Sequence, residues 1–573
     1  MSTQRILANA SQVMVEQLVA SGVRYVFNNP GSREALFFDA LASNPRIHGV
    51  MALHEGSVAA MAGGYAQANL DPAVMSVHLG AGLAQSLGQL INVWSGGLPV
   101  VVITFAGDTG SFGDKVGLDL NHSFGPTSIA APFCKSTWTV IEPEGLPHAI
   151  DRAIRVAKAP PCGPVHIAVY DRMLSSTQID TMIIEKQGTA DRAGYPADGD
   201  VEEIAKALTL AERPLLYVGD GVWKSDAVKA TMDLAESLGA PVAGDSRAIP
   251  IRHRLHCGNF EEAAIAFEPD VVLCIGVRHS GRGVSGDLVG FTKIPQLMAV
   301  GHDVGNLKNM PGINHSVLAD EARAVELIHL AVKDAARRSK FTDRHSWALR
   351  QANELRMSRR QVVERVTPED GIVRPWVLGD ALDDALEKVG GGSVMIEQFA
   401  VPLDAVREFR ESPQNVYLRP AGASEGYGIG GAIGLKLGLE DRPVVGLIGD
   451  GSFYYADSGL WSAARHRIPV LFVVPNNRAY GIVAGAFERA GGIMSDSGEY
   501  EGVALEKVDP VTIAEGYGVE GRHIKNESDV EAAISQGIDI VERERRPLVL
   551  NVNLLQGIPS GSRPMKPFWL GDA

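Results

Sequence analysis

The stretch "GDGSFYYADSGLWSAARHRIPVLFVVPNN", Gly449 to Asn477, decides how this chain is read. The run before it, "RPVVGLI", is apolar on both faces, as expected of a strand buried in a parallel sheet. It ends in a glycine-bracketed aspartate, Asp450. "SFYYADSGLWSAARHR" has helical character, and "IPVLFVVPNN" is a second buried strand. The unit is β-α-β, so Asp450 and Asn477 both fall at carboxyl ends of strands, the edge where such sheets bind ligands. Gly449 and Gly451 let backbone amides approach an anion, and the following helix points its positive end at the same spot. A carboxylate, a carboxamide and backbone carbonyls are hard oxygen donors, which suit Mg²⁺ sharing its shell with a phosphate. The unit therefore reads as a seat for Mg²⁺ and a diphosphate. The chain carries its own control: "VGDGVWKSD" (Gly219, Asp220, Gly221) also follows a strand, but no Asn pair lies one β-α unit later. That copy reads as an ordinary turn.

The same alternation of strand-like and helical runs continues through most of the 573 residues. "YVFNNP", "PAVMSVHLG", "PVVVITFAG", "RPLLYVGDG", "DVVLCIGV" and "PLVLNVNL" are examples. The fold class is α/β, with parallel doubly wound sheets. Two stretches break the rhythm: the turn-rich "EKQGTADRAGYPADGD" (185–200) and the charged, largely helical 333–371. They predict three domains, at 1–184, 200–335 and 366–555, followed by a tail at 556–573.

Composition narrows the function. Net charge is −15 with no long basic run, which argues against nucleic acid as the main ligand. The four cysteines, Cys134, Cys162, Cys257 and Cys274, are scattered without a C-x-x-C pair, as in reduced thiols of a cytoplasmic protein. No uninterrupted apolar run is long enough to span a membrane, and the amphipathic N-terminus lacks an apolar core with a cleavage site.

GDG followed after 24 residues by NN resembles the cofactor motif of thiamin-diphosphate enzymes. The wider match is to the benzoylformate decarboxylase and acetohydroxyacid synthase group, and runs from the first strand to near residue 555. That resemblance implies three doubly wound domains: pyrimidine-binding, middle and diphosphate-binding. It implies that Asp450 and Asn477 bind Mg²⁺ by side chain and Ala479 by its carbonyl. Gly449, Gly451, Ser452, Tyr480 and Gly481 would be further cofactor-binding residues, with Ser424 and Glu425. It also implies a glutamate in an apolar wall, with a raised pKa, that activates the coenzyme through its aminopyrimidine ring. The candidate is Glu55 in "HEGSVAAMAGGYAQ", whose small residues let a helix pack close. Read on its own, Glu55 is an acid in the first turn of a helix, where it favours the dipole.

Further residues match polar positions of benzoylformate decarboxylase. Ser32, in "NPGS", would face a substrate carboxylate. His78, in "SVHLGAGLAQSLGQL", would give or take a proton, and Gln85 lies seven residues on. His279, in "GVRHSGRG", is the nearest candidate for a second active-site histidine. That loop also resembles the flavin-contacting loop of acetohydroxyacid synthases but lacks their acidic pair. One departure stands out. Counting back without gaps from Asp450, "GASEGYGIGGAIG" puts Glu425, after Ser424, where the family has a large apolar residue under the bend of the cofactor. The alternatives are a shifted register with Tyr427 in that role, or a second carboxyl group near the thiazolium.

The resemblance implies a lyase that decarboxylates a 2-oxo acid to an aldehyde, with carboligation as a further outcome. Alternatives are a 2-hydroxyacyl-CoA lyase, an acetolactate synthase-like carboligase and a non-catalytic regulatory relative. It implies at least a homodimer, or a dimer of dimers (a homotetramer), because Glu55 and Asp450 come from different protomers at each cofactor. A nicotinamide-binding dehydrogenase would need G-x-G-x-x-G after a first strand, with an acid at the usual distance, and none is present.

Overall fold

The computed structural model describes residues 3–107, 125–185, 194–244, 247–278, 291, 293–336, 342–402 and 415–566. The chain forms two compact units, one of Met1–Ala190, Pro368–Val401 and Arg419–Ala573, the other of Asp191–Thr367 and Pro402–Leu418.

The first unit contains two parallel sheets. The N-terminal one is built from β2 (Tyr25–Asn29), β3 (His48–Met51), β4 (Ala73–Val77), β5 (Val100–Ala106), β6 (Ser136–Val140) and β7 (Val165–Tyr170). Their order is β3-β2-β4-β5-β7-β6, and each neighbouring pair is parallel. Val74, Met75, Val101, Val102, Ile103, Ile167 and Val169 are buried along these strands, which explains their unbroken apolar character. One feature escaped the reading of alternating β-α units: β1 (Thr3–Asn9) pairs antiparallel with β8 (Gln178–Ile184), from Thr3 opposite Ile184 to Asn9 opposite Gln178.

The C-terminal sheet of this unit contains β14 (Ser393–Glu397), β16 (Val444–Ile448), β17 (Leu471–Asn476), β19 (Glu520–Ile524) and β20 (Leu548–Asn553), with β14-β16-β17-β20-β19 as neighbours. All these pairings are parallel too. In the N-terminal sheet the strand order reverses between β2 and β4. A doubly wound sheet opens a crevice at such a switch point, outside the carboxyl ends of the two strands. The carboxyl end of β16 meets that of β14 directly: Gly449 donates its N–H to the Glu397 carbonyl at 2.9 Å.

Within this unit the helix Glu55–Asn69 lies against the helix Gly428–Leu439 at very close range. A Cβ on Gly64 would overlap the carbonyl oxygen of Gly431, and one on Gly434 would overlap that of Met61. Gly430, Gly434 and Gly438 recur every four residues, which puts them on one face, and this face meets Ala60, Met61 and Ala68. The small residues after Glu55 and Gly428 are thus the contact surface of one helix crossing. Tyr427 is fully buried at its edge, its ring against Gly63 and Gly431, and its hydroxyl donates to Gln67 Oε1 at 2.7 Å.

The second unit carries one parallel sheet, with β9 (Pro214–Val218), β10 (Val242–Gly244), β11 (Val271–Ile275), β12 (Gln296–Gly301) and β13 (His315–Leu318) in the order β10-β9-β11-β12-β13. The charged segment expected to be a second connection is a 23-residue helix, Thr342–Glu364. It docks within this unit: Arg344 donates to the carbonyls of Leu238 and Ala211, each at 2.7 Å. Cys134, Cys257 and Cys274 are buried thiols outside any disulfide, and the half-buried Cys162 Sγ donates to the Lys158 carbonyl at 3.2 Å. Burial pushes Cys134 and Cys257 up to about 12.

Candidate active site

β16 delivers Asp450 as the first residue of the helix Asp450–Ala456. Its side chain is buried, and the nearby backbone amides of Gly451, Arg478 and Ala479 favour its charged form. The other oxygen, Oδ2, is buried with no hydrogen-bond partner among the described residues. Burial raises this carboxyl to about 6 despite the amides. An orphaned carboxylate oxygen of this kind is what a bound cation would satisfy.

β17 brings the second half. Asn476 Oδ1 accepts from Arg478 N, and Asn477 Oδ1 from Ala479 N, each at 3.1 Å. These two Asx turns fold the strand end back, with Arg478 in the left-handed region at φ 54°. The fold-back brings the Arg478–Ala479 amides to Asp450. Asp450, Asn477 and Ala479 are therefore neighbours at this edge and supply the candidate oxygen donors. Gly451 and Gly481 are cramped: a Cβ on Gly451 would sit 2.8 Å from the Tyr480 ring, and one on Gly481 would sit 3.0 Å from Asn477 Nδ2. Among the described residues no group of three His, Cys, Asp or Glu side chains forms a metal cluster. The set here is one carboxylate, one carboxamide and one carbonyl, and it fits Mg²⁺ with diphosphate oxygens and water.

The N-terminal sheet presents its own residues at its switch point. Glu55 opens the helix Glu55–Asn69, capped by the His54 imidazole, which accepts from Gly56 N at 3.0 Å. The Glu55 carboxylate lies over Gly82, where a Cβ would be 2.9 Å from Oε1, and the Cβ of His78 flanks the same spot. His78 follows β4, and Ser32 follows β2 at the start of a short 3-10 turn, Ser32–Glu34. The turn brings in a group the sequence reading missed: Glu34 is fully buried, and its Oε1 lies 2.8 Å from His78 Nδ1. Gly31 leaves the room, because a Cβ there would overlap His78 Nδ1. Ser32 itself is exposed. Glu34 stands two residues after Ser32 in "PGSRE", and only the tertiary pairing of β2 with β4 reveals its partner.

Gln85 is exposed. Gln89, one turn further along the helix Ala81–Ser95, makes the contact with the C-terminal domain, donating from Nε2 to the Glu425 carbonyl at 2.7 Å. Asn92 adds to it, donating to the Ser424 carbonyl at 2.7 Å and accepting from Gly422 N at 2.9 Å. Tyr427 is committed to the helix crossing, whereas Glu425 is exposed and its Oε2 accepts from Ser452 Oγ at 2.5 Å. Glu397, at the end of β14, is a second buried carboxyl that the sequence did not disclose. It accepts from Tyr427 N at 2.9 Å and Gly428 N at 2.6 Å. Burial first, and then the nearby Glu425 charge, raise it to about 8 against those amides. His279 lies outside the described residues, as does the end of the tail beyond residue 566.

The strand carboxyl ends thus carry a buried unsatisfied carboxylate in one sheet and a glutamate and a histidine in the other, groups that could serve a metal and a protonatable ligand. Comparison with known proteins agrees. Residues 8–125 match the N-terminal TPP binding domain of thiamine pyrophosphate enzymes, 201–328 the central domain, and 401–552 the C-terminal TPP binding domain. The chain belongs to the thiamine pyrophosphate enzyme family. It is 26% identical over 550 residues to a benzoylformate decarboxylase of Pseudomonas aeruginosa, covering 94% of this chain and 97% of the relative. It is 23% identical over 563 residues to the acetolactate synthase isozyme 3 large subunit of Escherichia coli, covering 94% of each. Among solved structures, the thiamine diphosphate-dependent 4-hydroxybenzoylformate decarboxylase of Rhodococcus jostii RHA1 superposes with a TM-score of 0.78 at 25% identity, over 96% of this chain and 99% of the other.

Proposed function

We propose that this protein is a thiamin-diphosphate- and Mg²⁺-dependent carbon–carbon lyase that decarboxylates a 2-oxo acid to an aldehyde. The observation that carries the reading is the buried, unpartnered Oδ2 of Asp450 beside the Asn477–Ala479 turn. Asp450, Asn477 and the Ala479 carbonyl would hold the metal, and the backbone around Gly449–Ser452 the diphosphate. When bound, the coenzyme supplies an electron sink for the carbon–carbon bond being cleaved.

The chain's own residues do the rest. Glu55 would hold and share a proton with the aminopyrimidine of the bound coenzyme, and Gly82 leaves room for its carboxyl. With Nδ1 of His78 engaged by Glu34, a proton given to or taken from the reacting centre passes through Nε2. Ser32, exposed in the turn that carries Glu34, would bind a substrate carboxylate. The Gly428–Leu439 helix packing keeps the two domains in register.

We assign the working form to a homodimer or a dimer of dimers, with Glu55 of one copy acting on the cofactor held by the other. Exposed apolar side chains of the first unit, Phe399 and Tyr455 among them, support a covered surface in the assembly. The acyl-CoA version is less well supported. In the second unit the crevice at the ends of β9, β11 and β12 is lined by Asp220, Arg278, His302, Asp303 and Glu321. Arg278 in this lining pairs with Asp220, which Lys224 also engages, and His302 Nδ1 lies 2.7 Å from Glu321 Oε1. A nucleotide diphosphate would have to compete with these pairs.

The test is reconstitution with thiamin diphosphate and Mg²⁺, followed by measurement of CO₂ and aldehyde from a panel of 2-oxo acids that includes benzoylformate. Turnover that disappears in Glu55→Gln is the expected result. A folded protein that binds the coenzyme yet releases no CO₂ from any member, while condensing two carbonyl compounds, would make it a carboligase.

A further inference from the structure

The segment Gly422–Gly426 is fixed behind and occupied in front. Behind it, Asn92 and Gln89 are buried and form a closed amide clamp: Asn92 Nδ2 also donates to Gln89 Oε1 at 2.8 Å. Together they hold the backbone at Gly422, Ser424 and Glu425. Ala423 at φ 52° and Gly426 at φ 96° bracket a turn of uncommon shape, so the loop has little freedom to shift as a whole. In front, the exposed Glu425 side chain reaches across to Ser452 Oγ. Ser452 directly follows Gly451, at the place read above as the diphosphate seat.

We propose that the Glu425 carboxylate is a resident occupant of that seat, resting on Ser452 in the cofactor-free protein and swinging away when a diphosphate arrives. Glu425 is thereby a determinant of how tightly this chain holds its coenzyme. The inference rests on the reading of Gly449–Ser452 as the diphosphate seat. A carboxylate and a phosphate oxygen are both anionic acceptors, so they compete for one hydroxyl donor and repel each other when both are near it. The clamp leaves rotation of the Glu425 side chain as the route of release. Glu397 cannot trade places with it, being buried and tied to the amides of Tyr427 and Gly428. An apolar side chain at position 425 would leave Ser452 open.

The experiment is a calorimetric or fluorescence titration of the full chain, stripped of cofactor, with Mg²⁺ plus thiamin diphosphate and separately with Mg²⁺ plus inorganic pyrophosphate. Glu425→Gln removes the charge and Glu425→Ala the occupant. Both are expected to tighten binding of the two probes about tenfold, and alike, because the effect lies at the diphosphate. In a Ser452→Ala background the same Glu425→Ala change is expected to alter affinity less than about twofold. Unchanged or weakened binding by Glu425→Ala overturns the proposal, as does a gain confined to thiamin diphosphate, which would place Glu425 against the rings. Binding by the wild type that Asp450→Ala abolishes keeps the seat itself secure in either case. If wild type and Glu425→Ala, both folded by thermal unfolding, bind neither probe, the seat reading and the proposal fall together.

Discussion

Glu34 Oε1 lies 2.8 Å from Nδ1 of His78, joining the turn after β2 to the end of β4. The carboxylate comes from a fully buried side chain whose other oxygen has no partner among the described residues. Such a group orients an imidazole and stabilises its charged form, as the third member of a triad does. Glu34→Gln is expected to lower kcat about 10- to 100-fold, the range for disturbing one proton-transfer group. The dissociation constant for thiamin diphosphate is expected to stay put. Equal losses in kcat and cofactor affinity would show that Glu34 serves the fold rather than His78.

Gly82 is expected to tolerate no side chain without cost to turnover. A Cβ there meets Glu55 Oε1 at 2.9 Å, and that atom is the mobile end of its side chain, so the carboxylate gives way and the backbone does not. Gly82→Ala should therefore unfold within a few degrees of the wild type while kcat drops at least about tenfold, since misplacing a catalytic group by about 1 Å is that costly. Wild-type turnover in this variant would detach Glu55 from the chemistry.

The parallel sheets, the carboxyl-end placement of Asp450 and Asn477, and the close-packed helix after Glu55 were all readable in the sequence, because each rests on local periodicity or on short spacing. Glu34, Glu397, Gln89 and Asn92 were not. Each takes its role from a partner far along the chain: 44 residues away for Glu34 and His78, 336 for Gln89 and Glu425. The antiparallel β1–β8 pair was hidden for the same reason. Its two strands are 7 residues each, and they belong to no β-α unit. The position of Glu425 was readable, but not that its carboxylate turns to Ser452.

The helix crossing offers a test of stability rather than catalysis. Gly434 faces the Met61 carbonyl, a backbone atom that cannot rotate away, and a Cβ on it would overlap that oxygen. Gly434→Ala is expected to destabilise the protein by at least about 2–3 kcal/mol, through overpacking that neither helix can relieve. Gly88→Ala is a matched control, because its nearest neighbour, Ser424 Oγ, lies 4.0 Å from the added carbon. Similar unfolding midpoints in urea for the two variants would mean that the two helices do not pack this way in solution.

The two raised carboxyls make the cofactor-free protein sensitive to pH in a defined direction. Glu397 sits at about 8 and Asp450 at about 6, against ordinary values of 4.5 and 3.8. In each case the folded form keeps a proton that the unfolded chain has already released. By linkage, stability is greatest below the ordinary value and declines as pH rises towards the folded value. The melting temperature of the apoprotein should thus fall between about pH 4 and pH 8. Glu397→Gln, which mimics the protonated acid, should flatten the upper part of that slope, and Asp450→Asn the part below about 6. At the proposed metal site the Asp450 carboxyl must be ionised, so the affinity for Mg²⁺ with thiamin diphosphate should weaken towards tenfold per pH unit below about 6. Asp450→Asn should remove that dependence along with most of the affinity. Titrations at pH 5, 6 and 7 decide the matter: an affinity that is flat across them would mean that no buried carboxyl has to give up its proton to the metal.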